Sequence, residues 1–225
     1  MTGPATGPAP AAGRSVAVLL AAGAGTRLGR GPKALLPHRG RPLVEHVARV
    51  LADGGCDDVV VVLGADAARV ATAADRLTGT AGVRVVVNER WATGMGSSLQ
   101  AGVAAALQPD DGSPVARVVV AHVDQPGVTP GDVARLLAAH RPGRVTASLW
   151  ADAPASDQAG PEQGRPRWSH PLVLDAALAG PAAASAEGDA GARAFLRAHA
   201  ALIDVVTHPG DGRDLDTEAD LDLLA

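Results

Sequence analysis

The residues best suited to chemistry fall in three clusters. The first follows an apolar run: Ala21-Ala22-Gly23-Ala24-Gly25-Thr26-Arg27-Leu28-Gly29-Arg30-Gly31-Pro32-Lys33. Glycines let backbone N–H groups close around an anion, and Arg27 and Lys33 add positive charge, so this cluster reads as a phosphate cradle. A Walker A loop needs Gly-Lys-Ser/Thr in succession; here Pro32 precedes Lys33 and Ala34 follows it, which excludes a P-loop NTPase. Gly23, Gly25 and Gly29 are spaced G-x-G-x-x-x-G, one residue longer than the dinucleotide fingerprint. The acid that should hold a ribose is also misplaced: Glu45 falls in a helical stretch and Asp66 is too far along.

The second cluster is Asn88-Glu-Arg-Trp-Ala-Thr-Gly-Met-Gly-Ser-Ser-Leu99. Ser97 and Ser98 at a helix start either bond a base or ribose or simply cap the helix. Trp91 is a lid over a ligand or, the reading favoured here, packing. The third cluster is acidic. Asp124 ends a β-branched run in His122-Val123-Asp124-Gln125-Pro126, where a carboxylate suits a divalent metal, and Asp214 and Asp216 lie near the C-terminus. His122 reads as a packed strand histidine, and Cys56 as structural.

These clusters need a scaffold. Ser15–Ala22, Asp57–Gly64, Val83–Asn88 and Val115–Val123 are nearly continuous apolar runs, as expected of parallel strands covered on both faces. Arg144–Trp150 and Leu202–Thr207 are weaker strand candidates. Helical stretches over Pro42–Asp53, Asp66–Leu77, Ser97–Leu107 and Pro130–Ala139 alternate with the runs, with Pro42 and Pro130 in first turns and Ser97 as an N-cap. A capped helix is expected from Thr217. This alternation gives an α/β domain over 15–225 with a mostly parallel sheet. Glycine-rich and acidic clusters then share the C-terminal edge of the sheet, where such folds bind ligands. Residues 1–14, rich in Pro, Gly and Ala, read as a disordered tail rather than a signal peptide, and 151–167 as a flexible loop or lid.

Composition narrows the function classes. Aromatics are only 2% of 225 residues and the net charge is −4, which argues against a nucleic-acid partner. A single Cys excludes an internal disulfide and weighs against a cysteine-based metal cluster. No apolar run has the length of a membrane helix, and with no signal segment the cytoplasm is expected.

LLAAGAGTRLGRGPKALLPHRGRPLVEHV resembles the opening of the MobA-like nucleotidyltransferases, with Leu28 where Met is commoner. The resemblance implies a Rossmann-like three-layer α/β/α fold of the nucleotide-diphospho-sugar-transferase type. It also implies NTP phosphates bound on the loop at Ala21, Ala22, Gly23, Gly25 and Thr26, with Arg27 and Lys33 neutralising the triphosphate. The segment from Asn88 is similar to N-P-x-W-x-x-G-M-x-x-S-L of molybdenum cofactor cytidylyltransferases, with Glu89 in place of Pro. That implies CTP rather than GTP, contacted through Asn88, Gly94, Met95, Ser97 and Ser98. Asp-Gln-Pro matches the family's D-x-P, whose Asp binds Mg²⁺. DLDTEADL resembles its closing D-I-D-T-P-x-D-L, which makes Asp216, and less so Asp214, further metal ligands. Arg167–Pro171 resembles R-x-G-H-P, and Gly188–Arg193 matches G-D-x-G-A-R; both flank the acceptor pocket in the family. His170 then holds the acceptor's phosphate as cation or donor, or merely caps. Asp189 binds acceptor or caps a helix, and Arg193 contacts phosphate or is a solvated charge. Taken together the resemblance implies CMP transfer from CTP to a phosphorylated pterin, with a molybdoenzyme or its chaperone as a further partner. Competing readings are an NAD(P)H-dependent oxidoreductase of the nicotine blue oxidoreductase type, a cofactor-carrying module without catalysis, and transfer to another phosphorylated acceptor.

Overall fold

Apolar runs without polar alternation can be buried on both faces, and here they form the middle of a seven-stranded sheet. The computed structural model describes residues 13–78, 82–153 and 168–225. Most of the expected tail, and the expected loop from residue 154 on, lie outside the described residues; Arg14 already belongs to the first strand. The strands are β1 (Arg14–Ala21), a short hairpin of β2 (Pro37–His38) and β3 (Arg41–Pro42), β4 (Asp58–Leu63), β5 (Val83–Val87), β6 (Val115–His122), β7 (Val145–Trp150), β8 (Ser169–Asp175) and β9 (Ile203–His208). The main sheet has the order β5-β4-β1-β6-β8-β7-β9. Only β8 runs against its neighbours; the other pairings are parallel.

Helices α1 (Leu43–Asp53), α2 (Ala67–Thr78), α3 (Met95–Ala106), α4 (Pro130–Ala139), α5 (Ala176–Ala184) and α6 (Arg193–Ala198) cover both faces. Alternate residues of β1 serve the two sides. Ala17, Leu19 and Ala21 pack with Leu43, Val47 and Leu51 of α1, Val70 of α2 and Leu136 of α4. Val16, Val18 and Leu20 pack with Leu99 and Val103 of α3, Ala179 of α5 and Leu196 of α6. The result is the three-layer α/β/α arrangement expected.

Several local expectations are corrected. Helix α3 starts at Met95 with Gly94 as its N-cap, so Ser97 sits inside the first turn. Pro42 precedes α1 as its N-cap, because its ψ of 142° is extended rather than helical. Pro130 does open α4, behind a capping box of Thr129 and Asp132. The C-terminal helix is a 3₁₀ helix, Glu218–Leu224, with a capping box of Thr217 and Asp220. Strand β8 and helix α5 have no counterpart among the expected elements, and the helix expected to follow Asp189 is α6, whose N-cap is Ala192.

The sheet order explains the position of the site. From β1 the chain steps outward to β4 and β5, then returns across β1 to β6, so the winding reverses between β1 and β6. This reversal leaves a crevice at the C-terminal edge, while α1 and α4, which follow the two strands, pack together on one face. Because β8 is antiparallel, its beginning, not its end, reaches that same edge.

Helix α3 lies close enough to the sheet to require a glycine. A Cβ on Gly102 would stand 2.4 Å from Val18 Cγ1 and 2.7 Å from Val62 Cγ2, both on stiff β-branched side chains. Gly102→Ala should lower the melting temperature by roughly 2–10 °C through overpacking. Gly131→Ala in α4, where a Cβ meets nothing nearer than 3.7 Å, should cost nothing. Thermal unfolding followed by circular dichroism compares the two.

Candidate active site

The glycine loop between β1 and Lys33 folds back on itself. Gly25 has φ +64°, and a Cβ there would lie 2.0 Å from the Gly31 carbonyl oxygen, so only glycine fits. Gly29 N donates to Gly25 O at 3.1 Å, and buried Leu28 pins the loop to the core. Gly23, Thr26 and Arg27 face solvent at the crevice, whereas Ala21 and Ala22 are buried at the strand end, with Ala22 O accepting from Ala65 N at 3.0 Å.

Lys33 opens a 3₁₀ turn, Lys33–Leu35, after buried Pro32. Its Nζ donates to Asp124 Oδ2 at 2.9 Å and to Asp216 Oδ1 at 2.5 Å. Burial alone would lower its pKa, but the charge of Asp124 and the hydrogen bonds of Asp216 and Asp124 outweigh that and raise it, so Lys33 remains an ammonium. Arg27 Nη1 approaches Asp216 Oδ2 at 3.5 Å from a side chain that is 80% exposed.

The acids come from distant parts of the chain. Asp124 follows β6, and its carbonyl accepts from Leu215 N at 2.7 Å. Fully buried Leu215 drives this docking and leaves its neighbours Asp214 and Asp216 beside Asp124. Asp214 stands at the crevice mouth, and its carboxyl is pushed up to about 7, first by desolvation and then by the charge of Asp124. Among the described residues no three carboxylate, imidazole or thiol groups form a metal cage by themselves. The donor set does fit a Mg²⁺-like ion that arrives with phosphate, since such ions take one or two carboxylates and fill the remaining positions with phosphate oxygens and water.

The 88–98 segment is tied up internally. Asn88 Nδ2 donates to Ser97 Oγ at 2.8 Å and Ser98 Oγ at 3.0 Å, and its Oδ1 accepts from Arg90 N at 3.0 Å. The Ser97 hydroxyl lies 3.0 Å from Arg90 O and 2.9 Å from Gly94 O. These three side chains are buried and shape the loop. Trp91 packs on Gly64, where a Cβ would come within 2.4 Å of the Trp91 Cβ.

A second loop is fastened to this one. A Cβ on Gly94, at φ +112°, would lie 2.4 Å from the carbonyl carbon of Gly188. Gln100 Nε2 donates to Ala186 O at 3.0 Å, and Asp189 Oδ1 accepts from Met95 N at 3.4 Å. Asp189 is therefore a helix cap, but for α3 and from far along the chain.

Between the two loops and β8 lies a cavity of about 100 Å³, lined by Met95, Leu99, Trp168 and Leu172 among others. His122 and His170 stack inside it, with ring centroids 4.1 Å apart. Burial lowers both pKa values, and the neighbouring His122 ring and the charge of Arg193 take His170 further down. His170 is thus neutral, which corrects its expected role as a cation; burial makes an imidazolium too costly there. Exposed Arg193 lines the cavity.

The arrangement has relatives. The family model described as MobA-like NTP transferase domain matches residues 17–202. This chain belongs to that family. It is 46% identical over 204 residues to the nicotine blue oxidoreductase of Paenarthrobacter nicotinovorans, covering 89% of this chain and 91% of that one. Among solved structures it is similar to a nucleotidyl transferase from Methanothermobacter thermautotroptrophicus, at a TM-score of 0.71 and 23% identity over 92% of this chain and 94% of that one. It is also similar to the Rv0371c protein of Mycobacterium tuberculosis in complex with manganese, at a TM-score of 0.67 and 24% identity, covering 94% and 98%. These two structures share the fold of this chain.

Against this family background, Arg27, Lys33, Asp124, Asp214 and Asp216 converge, while Asn88, Ser97 and Ser98 point into their own loop. Gln125 was missed. It is buried, its Nε2 donates to Gly212 O at 3.3 Å, and it is hydrogen-bonded to Asp214. Its adjacency to Asp124 was the available signal.

The raised pKa of Asp214 has a sign that can be measured. Below about pH 4 the group is protonated in both folded and unfolded chains. As pH rises towards 7 the unfolded chain loses this proton first, so stability falls, and the loss is complete above 7. Asp214→Asn should therefore raise the melting temperature of the metal-free protein at pH 8 and leave it nearly unchanged at pH 4. Thermal melts at the two pH values provide the check.

Proposed function

We propose that this protein is a Mg²⁺-dependent nucleotidyltransferase that moves CMP from CTP to the terminal phosphate of molybdopterin. The acceptor phosphate oxygen bonds to the α-phosphorus of CTP, the α–β phosphoanhydride bond breaks, and pyrophosphate leaves. The observation that carries the reading is Lys33 set between Asp124 and Asp216, beneath a glycine loop at the switch point of the sheet. Membership of the MobA-like family supports nucleotide chemistry. The choice of CTP and of a pterin rests on the likeness of Asn88–Leu99 and Gly188–Arg193 to the cytidylyltransferase segments.

In this reading the backbone N–H groups of Gly23 to Thr26 face the triphosphate. Arg27 and Lys33 neutralise the charge that grows on the departing pyrophosphate. Asp124, with Asp216 and Asp214, would hold Mg²⁺, which supplies charge compensation at the phosphates. The Asn88 network keeps Gly94 and Met95 in place for the nucleoside. Arg193 receives the acceptor's phosphate, and neutral His170 serves as a hydrogen-bonding wall. The acceptor is already an anion, so no general base is needed and the gain comes from positioning.

Pyrophosphate release from CTP, Mg²⁺ and molybdopterin tests the proposal. Asp124→Ala should abolish turnover, and Lys33→Ala should reduce it by about 10²–10³-fold with the fold intact. Release that is independent of the pterin, or an unimpaired Asp124→Ala, would overturn it.

A second reading has a specific observation behind it, the 46% identity to a protein named nicotine blue oxidoreductase. It predicts stabilisation by NADH or NADPH instead. Thermal shift with Mg²⁺ plus CTP, GTP, NADH or NADPH separates the two, because only a ligand of the folded state raises the melting temperature.

A further inference from the structure

Lys33 has two tasks that exclude each other. To neutralise a triphosphate its ammonium must face the loop, yet here it is spent on Asp124 Oδ2 and Asp216 Oδ1. Those two carboxylates are the ones that would hold a divalent ion. The Lys33 side chain is only 13% exposed and is held between both carboxylates, of which Asp216 is the more open to water at 39%. Arg27 adds a second positive group beside Asp216. The carboxylates alone form no cage for a metal among the described residues.

We propose that Lys33 is a resident counter-cation, which fills the metal position until phosphates draw it away. This rests on the reading of the site as one for nucleotide and metal. Partner exchange conserves charge: the ammonium passes from Asp124 and Asp216 to the incoming phosphates, and the freed carboxylates accept the divalent ion. The lysine keeps two like-charged carboxylates together in the absence of ligand and makes free metal a poor ligand. Metal and nucleotide then bind with positive coupling, because each removes what opposes the other.

The test uses Mn²⁺ alone, with binding read from the electron paramagnetic resonance signal of free Mn²⁺. Wild type and Asp124→Asn should bind it equally weakly, since the acid is already occupied. Lys33→Gln should bind about tenfold or more tightly, the least that removing a unit positive charge at hydrogen-bond distance should give. Lys33→Gln/Asp124→Asn should lose that gain. Tight Mn²⁺ binding to wild type that Asp124→Asn destroys would overturn the proposal, as would Lys33→Gln binding no more tightly than wild type. Lys33→Ala, which removes the same ammonium, gives the same comparison if Lys33→Gln fails to fold. No nucleotide or acceptor is present, so an inactive result with CTP and molybdopterin leaves this outcome untouched, and the reverse holds too.

Discussion

The ammonium of Lys33 joins carboxylates that lie 91 and 183 residues away in the chain. Two partly enclosed carboxylates repel each other, and each loses water by coming together. The lysine makes their approach tolerable, and the rest of the crevice depends on that approach. The Leu215 amide bonded to the Asp124 carbonyl, and the burial of Leu215, hold the acidic segment against the end of β6. Arg213 fastens the same stretch through Asp211 and Asp222. Charge balance and apolar burial act on adjacent residues here, and either alone would leave the segment poorly placed.

The opposite wall of the crevice follows a different rule. His122 and His170 are neighbours across antiparallel β6 and β8, and burial keeps both uncharged. The charged groups at the cavity are Arg193 and Asp214, and the rest of its lining mixes apolar side chains with His122, His170, Gln125 and Ser169.

Much of this was legible from local signals. Val and Leu runs revealed the parallel strands because burial on both faces removes alternation. The crowding of glycines after the first run revealed the loop, because Gly25 tolerates no side chain. The long-range features were not legible. Strand β8 follows a polar stretch and carries His170 and Pro171, so its motif masked its strand character. Helix α5 is Ala-rich on every side and offers no apolar period. Ser97 looked like a cap because nothing local reveals that Asn88 claims its hydroxyl, and Asp189 caps a helix 94 residues earlier in the chain. The identities of such residues are visible in a sequence, but their partners are set only when the chain folds.

The contact between Gly94 and Gly188 has a consequence for redesign. The two loops meet backbone to backbone, with no room for a side chain on Gly94. A grafted loop from a homologue would bring its own backbone path and lose this fit unless the facing loop came with it. Attempts to exchange nucleotide preference, or acceptor preference, by transplanting one segment alone should yield poorly assembled hybrids. The smallest interchangeable part is the pair.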